Sequence, residues 1–548
     1  MKTWHACCFY RYLATCLHAR KILKASTRFM ALCFICVCLT NCSLEKPWES
    51  LSEDSTSDLD SHYQTPIGGN LKELTINTNK ISPLNIDSGS TNDVVLVMYS
   101  HNSNLNRVSF ELDDTTDSKA LVKMSTLESE VKQGSFDQWL RDSEASVTQD
   151  DIVADSFQNH YLTNTTERSF KVINSFSNNT FDTITAELAY ENDYYEIYID
   201  KRNLDELTDD DITLLGDQFK EVMLKEQHVF GEESDVNGDG KFAILLTQAV
   251  NELGASAGSM ITGFFYALDL FEDNKYPFSN EMEIIYSCVP DPKGDHGVAI
   301  SKSFALKSIL PSVIPHEYQH MISFNQHHFI ENSVVEKGWL NEALSHFAED
   351  FMHMDENDVI SSYGIENPSR VYNYLSEPHN TCFTCGTSLQ QRGGSYLFIK
   401  YLYEQAELGL LPGAVNGIQF LRSLVQTDKQ GIYNVVYAAF GEDDKDLFVD
   451  LLADFSLAVY LSDTEYAADE TQEFFGMKLR GAQNDYRGTY LQGPSMIEVD
   501  ALPFNFTIPG VGVAYLQIPK TLLKKNKSYN LKHLTTVDSV GGFLVQSD

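Results

Sequence analysis

Two histidines four residues apart, His316 and His320, with Glu317 beside the first, are the residues whose types and spacing point most directly to chemistry. In a helix, positions i and i+4 share a face, so both imidazoles reach one point at a distance a single metal ion bridges. A catalytic zinc takes three protein ligands and keeps a position for water, and Glu317 sits where its carboxylate can take a proton from that water. The third ligand is expected from Trp339-Leu-Asn-Glu342-Ala-Leu-Ser-His346-Phe-Ala-Glu349, in which Glu342 follows His320 by 22 residues. That separation lets one helix end, the chain turn, and a second helix return a carboxylate to the metal. Glu342, His346 and Glu349 are spaced by four and three and share a face. Leu340, Ala343, Leu344, Phe347 and Ala348 pack the other side and fix where that face points. His346 or Glu349 then orients a ligand histidine by hydrogen bonding, or His346 is an ordinary helix-face histidine. Pro315 is tolerated only in a first turn, so the motif helix is expected to begin a few residues earlier or to kink there.

A second segment has an ion-binding look: Asp235-Val-Asn237-Gly-Asp239-Gly240-Lys241. Oxygen-bearing side chains at loop positions one, three and five can converge on calcium, Gly240 permits the turn, and Lys241 offers its carbonyl. Position twelve is Leu246 instead of a bidentate glutamate, so a complete EF-hand is not expected. Two readings follow. Either this is an exposed turn feeding a strand, or it is a partial calcium loop completed by Glu232, Glu233 or a residue distant in sequence.

The elements that must position these groups are legible in outline. Strand-like alternation fills 76–190, as in Val94-Val-Leu-Val-Met98 and Val108-Ser-Phe-Glu-Leu112. After Ile199 the rhythm becomes helical, with Ile212, Leu215, Phe219, Val222 and Met223 on one face behind an acidic start at Asp209–Asp211. Strands are expected at 242–246 and 282–286, and helices around 312–326, 339–354, 391–406, 415–426 and 446–460. Short apolar runs return from about 475. The fold class is α+β: a two-part domain over 191–465 with a cleft between its halves, flanked by small β-rich domains at 76–190 and 466–548.

The chain of 548 residues carries 78 acidic and 40 basic side chains. Residues 1–41 hold six of the basic ones, which leaves a net charge of −44 on the remainder and disfavours nucleic acid as a partner. Arg20, Lys21, Lys24 and Arg28 precede the short apolar run Met30–Thr40, the pattern of an export signal, with the true start of translation open. Leu39-Thr-Asn-Cys42 is similar to a relaxed bacterial lipobox, which makes Cys42 the expected lipidated residue and membrane anchor on the cell envelope, with plain secretion as the alternative. Residues 42–75 then read as anchor and flexible tether. Seven of ten cysteines lie at or before residue 42. Cys382-Phe-Thr-Cys385 is expected to form a local disulfide, and one chain lacks the fourth cysteine of a structural zinc site.

The segments Pro315–Phe324 and Gly338–Glu349 together resemble the hyicolysin family of bacterial neutral zinc metallopeptidases, within the zincins whose third ligand is a glutamate. The resemblance is strong over about 310–405, extends more weakly over 195–460, and says little about either flank. It implies His316, His320 and Glu342 as zinc ligands, Glu317 as catalytic carboxylate, and a protein or peptide substrate cut by an endopeptidase. It also places Gly394-Ser-Tyr-Leu-Phe398 near the site, making Tyr396 the first candidate oxyanion donor, with Tyr363, Tyr372 or Tyr374 as alternatives and core packing as the plain reading. A substrate strand is expected to pair with an edge strand around Met282–Tyr286. The competing reading is a catalytically inactive surface binding protein or adhesin on the same scaffold.

Overall fold

The computed structural model describes residues 69–547, apart from 77–80, 85, 87–92, 103–105, 115–135, 149–150, 152–165, 465, 468–469, 486, 525–526 and 536–538. Strands β1 (Gly69–Thr75), β2 (Ile81–Leu84), β3 (Val94–His101) and β4 (Val108–Asp113) come first, followed by helix α1 (Phe136–Ala145). A central sheet then forms from β5 (Glu167–Ser175), β6 (Thr180–Glu191), β7 (Tyr195–Asp200), β8 (Phe242–Leu246), β9 (Gly263–Phe265) and β10 (Ile284–Ser287), in the order β5-β6-β7-β8-β10-β9. Helix α2 (Asp209–Phe230) crosses over between the parallel strands β7 and β8, and α3 (Gln248–Ser256) follows β8. Thr208 and Asp211 cap α2 reciprocally, Asp211 accepting from the Thr208 amide at 2.8 Å, and the three acidic residues of its first turn oppose the helix dipole.

The helical half runs through α4 (Leu310–Phe324), α5 (Gly338–Ala348), α6 (Asn367–Ser376), α7 (Leu389–Glu407), α8 (Gly417–Val425), α9 (Gly431–Phe440) and α10 (Phe448–Leu461). Helix α4 begins five residues before Pro315 and is preceded by a π-helical turn, Ala305–Ile309. Pro315 has no amide to offer the carbonyl of Pro311, and the helix continues through it because every residue from Val313 to Phe324 is buried against neighbours. The chain ends in strands β11 (Arg480–Ala482), β12 (Tyr490–Gln492), β13 (Ile497–Glu498), β14 (Phe504–Ile508), β15 (Val511–Ile518), β16 (Tyr529–His533) and β17 (Ser539–Ser547).

The architecture is α+β with several sheets, but the expected flanking domains require correction. The strands assigned to two separate β-rich domains pair with one another: β3 lies between β15 and β17, and β4 lies between β14 and β16. Both ends of the described residues thus build one pair of facing sheets, β1-β17-β3-β15-β13 and β14-β4-β16-β2. The expected border at 190 also fails, because β5 and β6 belong to the central sheet. The reason is visible in β3, whose run Val-Val-Leu-Val-Met-Tyr is buried along its whole length. Val94, Leu96 and Met98 face the second sheet, whereas Val95, Val97 and Tyr99 join the main core. A strand buried on both faces needs a hydrogen-bonded neighbour on each edge, and these come from the far end of the sequence. On the main-core side the Tyr515 hydroxyl of β15 donates to the Ser456 carbonyl of α10 at 3.0 Å.

Several carboxylates are buried far from the histidine motif. Burial pushes Asp269, Glu336 and Glu404 each up to about 7, against ordinary values near 4. Raised folded-state values mean the folded chain holds these protons more tightly than the unfolded chain, so stability falls as pH rises from the ordinary carboxylate range through about 7. The melting temperature at pH 6 is expected to exceed that at pH 8 at fixed metal concentration, and Glu404→Gln should flatten the difference. A scan showing equal melting at both values would contradict this.

Among the described residues no helix is long and apolar enough to cross a membrane. Cys42 and the proposed export signal lie outside the described residues.

Candidate metal centre

Helix α4 presents His316 and His320 on one face, and α5 faces it with Glu342. The Nε2 atoms of the two histidines are 3.2 Å apart, His316 Nε2 is 3.6 Å from Glu342 Oε2, and His320 Nε2 is 3.6 Å from Glu342 Oε1. A tetrahedral zinc with bonds of about 2.0–2.1 Å has donor atoms separated by about 3.3–3.4 Å. His316, His320 and Glu342 can each turn one donor atom to a common point, and two imidazole nitrogens with one carboxylate are a donor set zinc accepts. His316, His346 and Glu349 form a second group of metal-capable side chains around the same imidazole.

The outer nitrogen of His316 is engaged by a carboxylate, whereas that of His320 meets two side-chain oxygens and a guanidinium. His316 Nδ1 lies 3.2 Å from Glu349 Oε1, which also takes His346 Nδ1 at 2.9 Å. Glu349 Oε2 accepts from Ser312 Oγ at 2.6 Å and from Arg370 Nη1 at 2.9 Å. A carboxylate fixed this way holds the His316 tautomer whose Nε2 lone pair is free. His320 Nδ1 meets Asn341 Oδ1 at 3.1 Å and Ser345 Oγ at 3.0 Å. Asn341 and Ser345 come from the face of α5 that carries Glu342, and helical spacing alone could have nominated them.

Glu317 lies beside the group, and its Oε2 accepts from the backbone amide of Phe265 at 2.9 Å. That amide belongs to β9, the edge of the central sheet. The edge strand expected at 282–286 is therefore an interior one, because β10 runs between β8 and β9. The cause is the three-residue strand Gly263–Phe265, too short for its pattern to register in sequence.

Burial pushes the Glu317 carboxyl up to about 7, with His316 and Arg141 opposing. Burial disfavours charge on His316, yet hydrogen bonds to Glu342 and Glu349 raise it to about 9. Burial followed by the Arg141 charge drives His320 well below its ordinary value. Burial would raise Glu342, but Arg392 and the two histidines hold it well below the usual carboxylate range. Arg370 and His316 do the same for Glu349.

Helix α1 and Arg392, which sequence patterns did not single out, complete the surroundings. Arg141 of α1 places Nη1 at 2.7 Å from His320 Nδ1 and Nε at 3.9 Å from Glu342 Oε1, while also pairing with Glu144 at 3.0 Å. Arg392 of α7 lies 3.3 Å from Glu342 Oε2 and 2.5 Å from Asp137 of α1. Phe136 packs edge-on against Phe264 of β9, and Trp139 stacks on Tyr266 with centroids 5.5 Å apart. With α1 so placed, His316, Glu317, His320 and Glu342 expose only 7, 6, 2 and 2 % of their surface. On its outer side a groove of about 620 Å³ is lined by Trp139, Asp142, Phe176 and Tyr266. No carboxylate or histidine motif marks α1 in the sequence, and its ten residues lay inside a region read as strands.

Tyr396 takes a different place from the one expected. It is fully buried, and its hydroxyl donates to Asp350 Oδ2 at 2.9 Å. Asp350 also accepts from the Gly364 amide and Asn367, so the pair braces the helical core. The residue of α7 that reaches Glu342 is Arg392, one turn earlier. Among the alternatives, Tyr372 is 49 % exposed, Tyr374 has a buried hydroxyl with no hydrogen bond, and Lys400 lies over the ring of Tyr363. Cys382 and Cys385 are disulfide-bonded.

Comparison with known proteins agrees in kind with this geometry. No protein-family model matches the chain. Over 258 residues it is 28% identical to the neutral metalloprotease ShpI of Staphylococcus hyicus, a stretch that covers 44% of this chain and 52% of that protein. The chain thus spans about half the length of this relative, and what it shares with it is likeness to a metalloprotease.

Proposed function

We propose that the chain is a zinc-dependent endopeptidase of the hyicolysin type, cutting peptide bonds of protein substrates. The observation that carries this reading is the pair His316 Nε2 and His320 Nε2, 3.2 Å apart and each 3.6 Å from one oxygen of the Glu342 carboxylate, set beside the Glu317 carboxylate. Zinc held there supplies a Lewis acid that acidifies water and polarises a carbonyl. Glu317 is the proton carrier, taking a proton from the attacking water and passing it to the leaving amine. Burial disfavours charge on the Glu317 carboxyl, the direction a group that must take up a proton needs. The Phe265 amide holds Glu317 in place, and Glu349 holds His316. Asn341 and Ser345 hold His320. Strand β9, as the sheet edge, offers its outer backbone groups to an extended peptide. Arg392 supplies positive charge beside the group, the role first assigned to Tyr396.

One observation favours the alternative of a binding protein on a zincin-like scaffold, namely the closure of the group under α1. Metal analysis combined with unbiased cleavage mapping on a denatured protein pool separates the two. One zinc per chain with cleavage supports the peptidase. Absence of any cleavage supports the binding protein, and material free of zinc overturns the peptidase. Attachment to the cell envelope through Cys42 remains part of the proposal.

A further inference from the structure

The segment Asp235–Lys241 lies between α2 and β8, and its three oxygen-bearing side chains all turn back into the loop. Asp235 Oδ1 accepts from the Gly240 amide at 3.1 Å, Asn237 Oδ1 from the Asp239 amide at 3.1 Å, and Asp239 Oδ1 from the Lys241 amide at 2.8 Å. Gly240 has φ near +71° with open space where a Cβ would stand, so glycine is needed there for its backbone angle alone. Leu246, at loop position twelve, is buried in β8 and supplies no oxygen.

An independent observation supplies the missing group. Glu283 precedes β10, and its carbonyl accepts from the Ala243 amide at 2.9 Å, which fixes it beside the end of the loop. Its side chain is fully buried. Oε1 accepts from Ser234 Oγ at 2.6 Å and from the Val236 amide at 2.9 Å, the two residues flanking Asp235. Oε2 is buried without a hydrogen-bond partner. The nearest lysine of the loop, Lys241, directs its ammonium to Glu191 and Glu196 instead. A buried carboxylate oxygen with no donor, held against an aspartate, is costly unless a cation satisfies it. Burial, with Asp235 adding to it, pushes this carboxyl up to about 7.

We infer that Asp235, Asn237, Asp239 and Glu283, with the Lys241 carbonyl, form a calcium site in which a glutamate from the neighbouring strand replaces the loop's own terminal ligand. The donors are all oxygen and three are carboxylates, which selects a hard divalent cation, and the irregular loop suits calcium better than octahedral magnesium. Binding requires the Asn237 amide to release Asp239 Oδ2, which it holds at 2.8 Å. The bound ion ties the end of α2 to β8 and β10. It also braces the histidine helix, because Glu233 in the same connection accepts from the Tyr318 hydroxyl of α4 at 2.5 Å.

The test uses the zinc-loaded full chain stripped of calcium. Calorimetric titration with calcium chloride is expected to show one site, with a melting temperature raised by several degrees at millimolar calcium. Glu283→Gln keeps an oxygen for Ser234 and Val236 and removes the charge. It is expected to lower calcium affinity at least tenfold while leaving the calcium-free melting temperature unchanged or higher, an outcome a merely structural glutamate would not give. Zinc content should stay unchanged. Hydrogen exchange of 231–246 in the unaltered chain, slower with calcium, provides a readout that needs no variant. Absence of heat and of any melting shift at millimolar calcium would overturn the site. So would calcium binding that Glu283→Gln leaves intact, or an equal response to magnesium.

Discussion

Glu317→Gln is expected to retain one zinc per chain and to lose peptide cleavage by about 10²–10⁴-fold, the range for removing a positioned general base. The substitution preserves size and leaves an oxygen for the Phe265 amide, so the sheet edge keeps its contact. His316, His320 and Glu342 are untouched, so metal content should match the parent. The loss should appear in kcat, with KM little changed, because the carboxylate acts on protons and not on substrate binding. Retained activity would sink the assigned role. Loss of zinc together with activity would show Glu317 to be needed for assembling the centre. A pre-steady-state cleavage assay with metal analysis on the same sample decides between these outcomes.

Loosening α1 is expected to change activity in the opposite direction. As it stands, an extended peptide cannot reach groups that are at most 7 % exposed. The helix is held by Arg141 on His320 and Glu342, by Asp137 on Arg392, and by the stacking of Trp139 on Tyr266. The Arg141 contact also opposes metal binding, because a guanidinium only donates and so asks His320 Nδ1 to accept. That tautomer carries its proton on Nε2, the atom that faces His316. Arg141→Ala combined with Asp137→Asn removes both ionic contacts. Zinc affinity should rise, cleavage of protein substrates should rise several-fold, and amides of 136–145 should exchange faster. Trp139 fluorescence reports the loss of its stacking on Tyr266. A fall in kcat with α1 still protected would instead assign Arg141 to the reaction itself.

The motif helix, the glutamate helix and their facing side chains were legible because each rests on local spacing. His316 and His320 share a face at i, i+4, and Glu342 and Glu349 follow from the same arithmetic on α5. The strand Phe242–Leu246 and the helix from Asp209 were equally plain from their apolar rhythm and acidic start. Tyr396 failed because a helix face can be read from spacing, but not which neighbour that face meets. Its hydroxyl meets Asp350, and Arg392 one turn earlier meets Glu342.

By itself, then, the sequence determined the donor types, their order along two helices and the oxygen-rich loop at Asp235, since these depend on residues within one or two turns of each other. The tertiary structure alone decided the rest. It set Glu349 on His316 and Asn341 on His320 across the α4–α5 contact. It made β9 the sheet edge that holds Glu317, and it brought Glu283 to the loop from a neighbouring strand. It also laid α1 over the group and interleaved strands from both ends of the described residues in the same sheets. Such contacts join residues tens to hundreds of positions apart, and which partners satisfy a buried strand edge or carboxylate is settled only when the whole core packs.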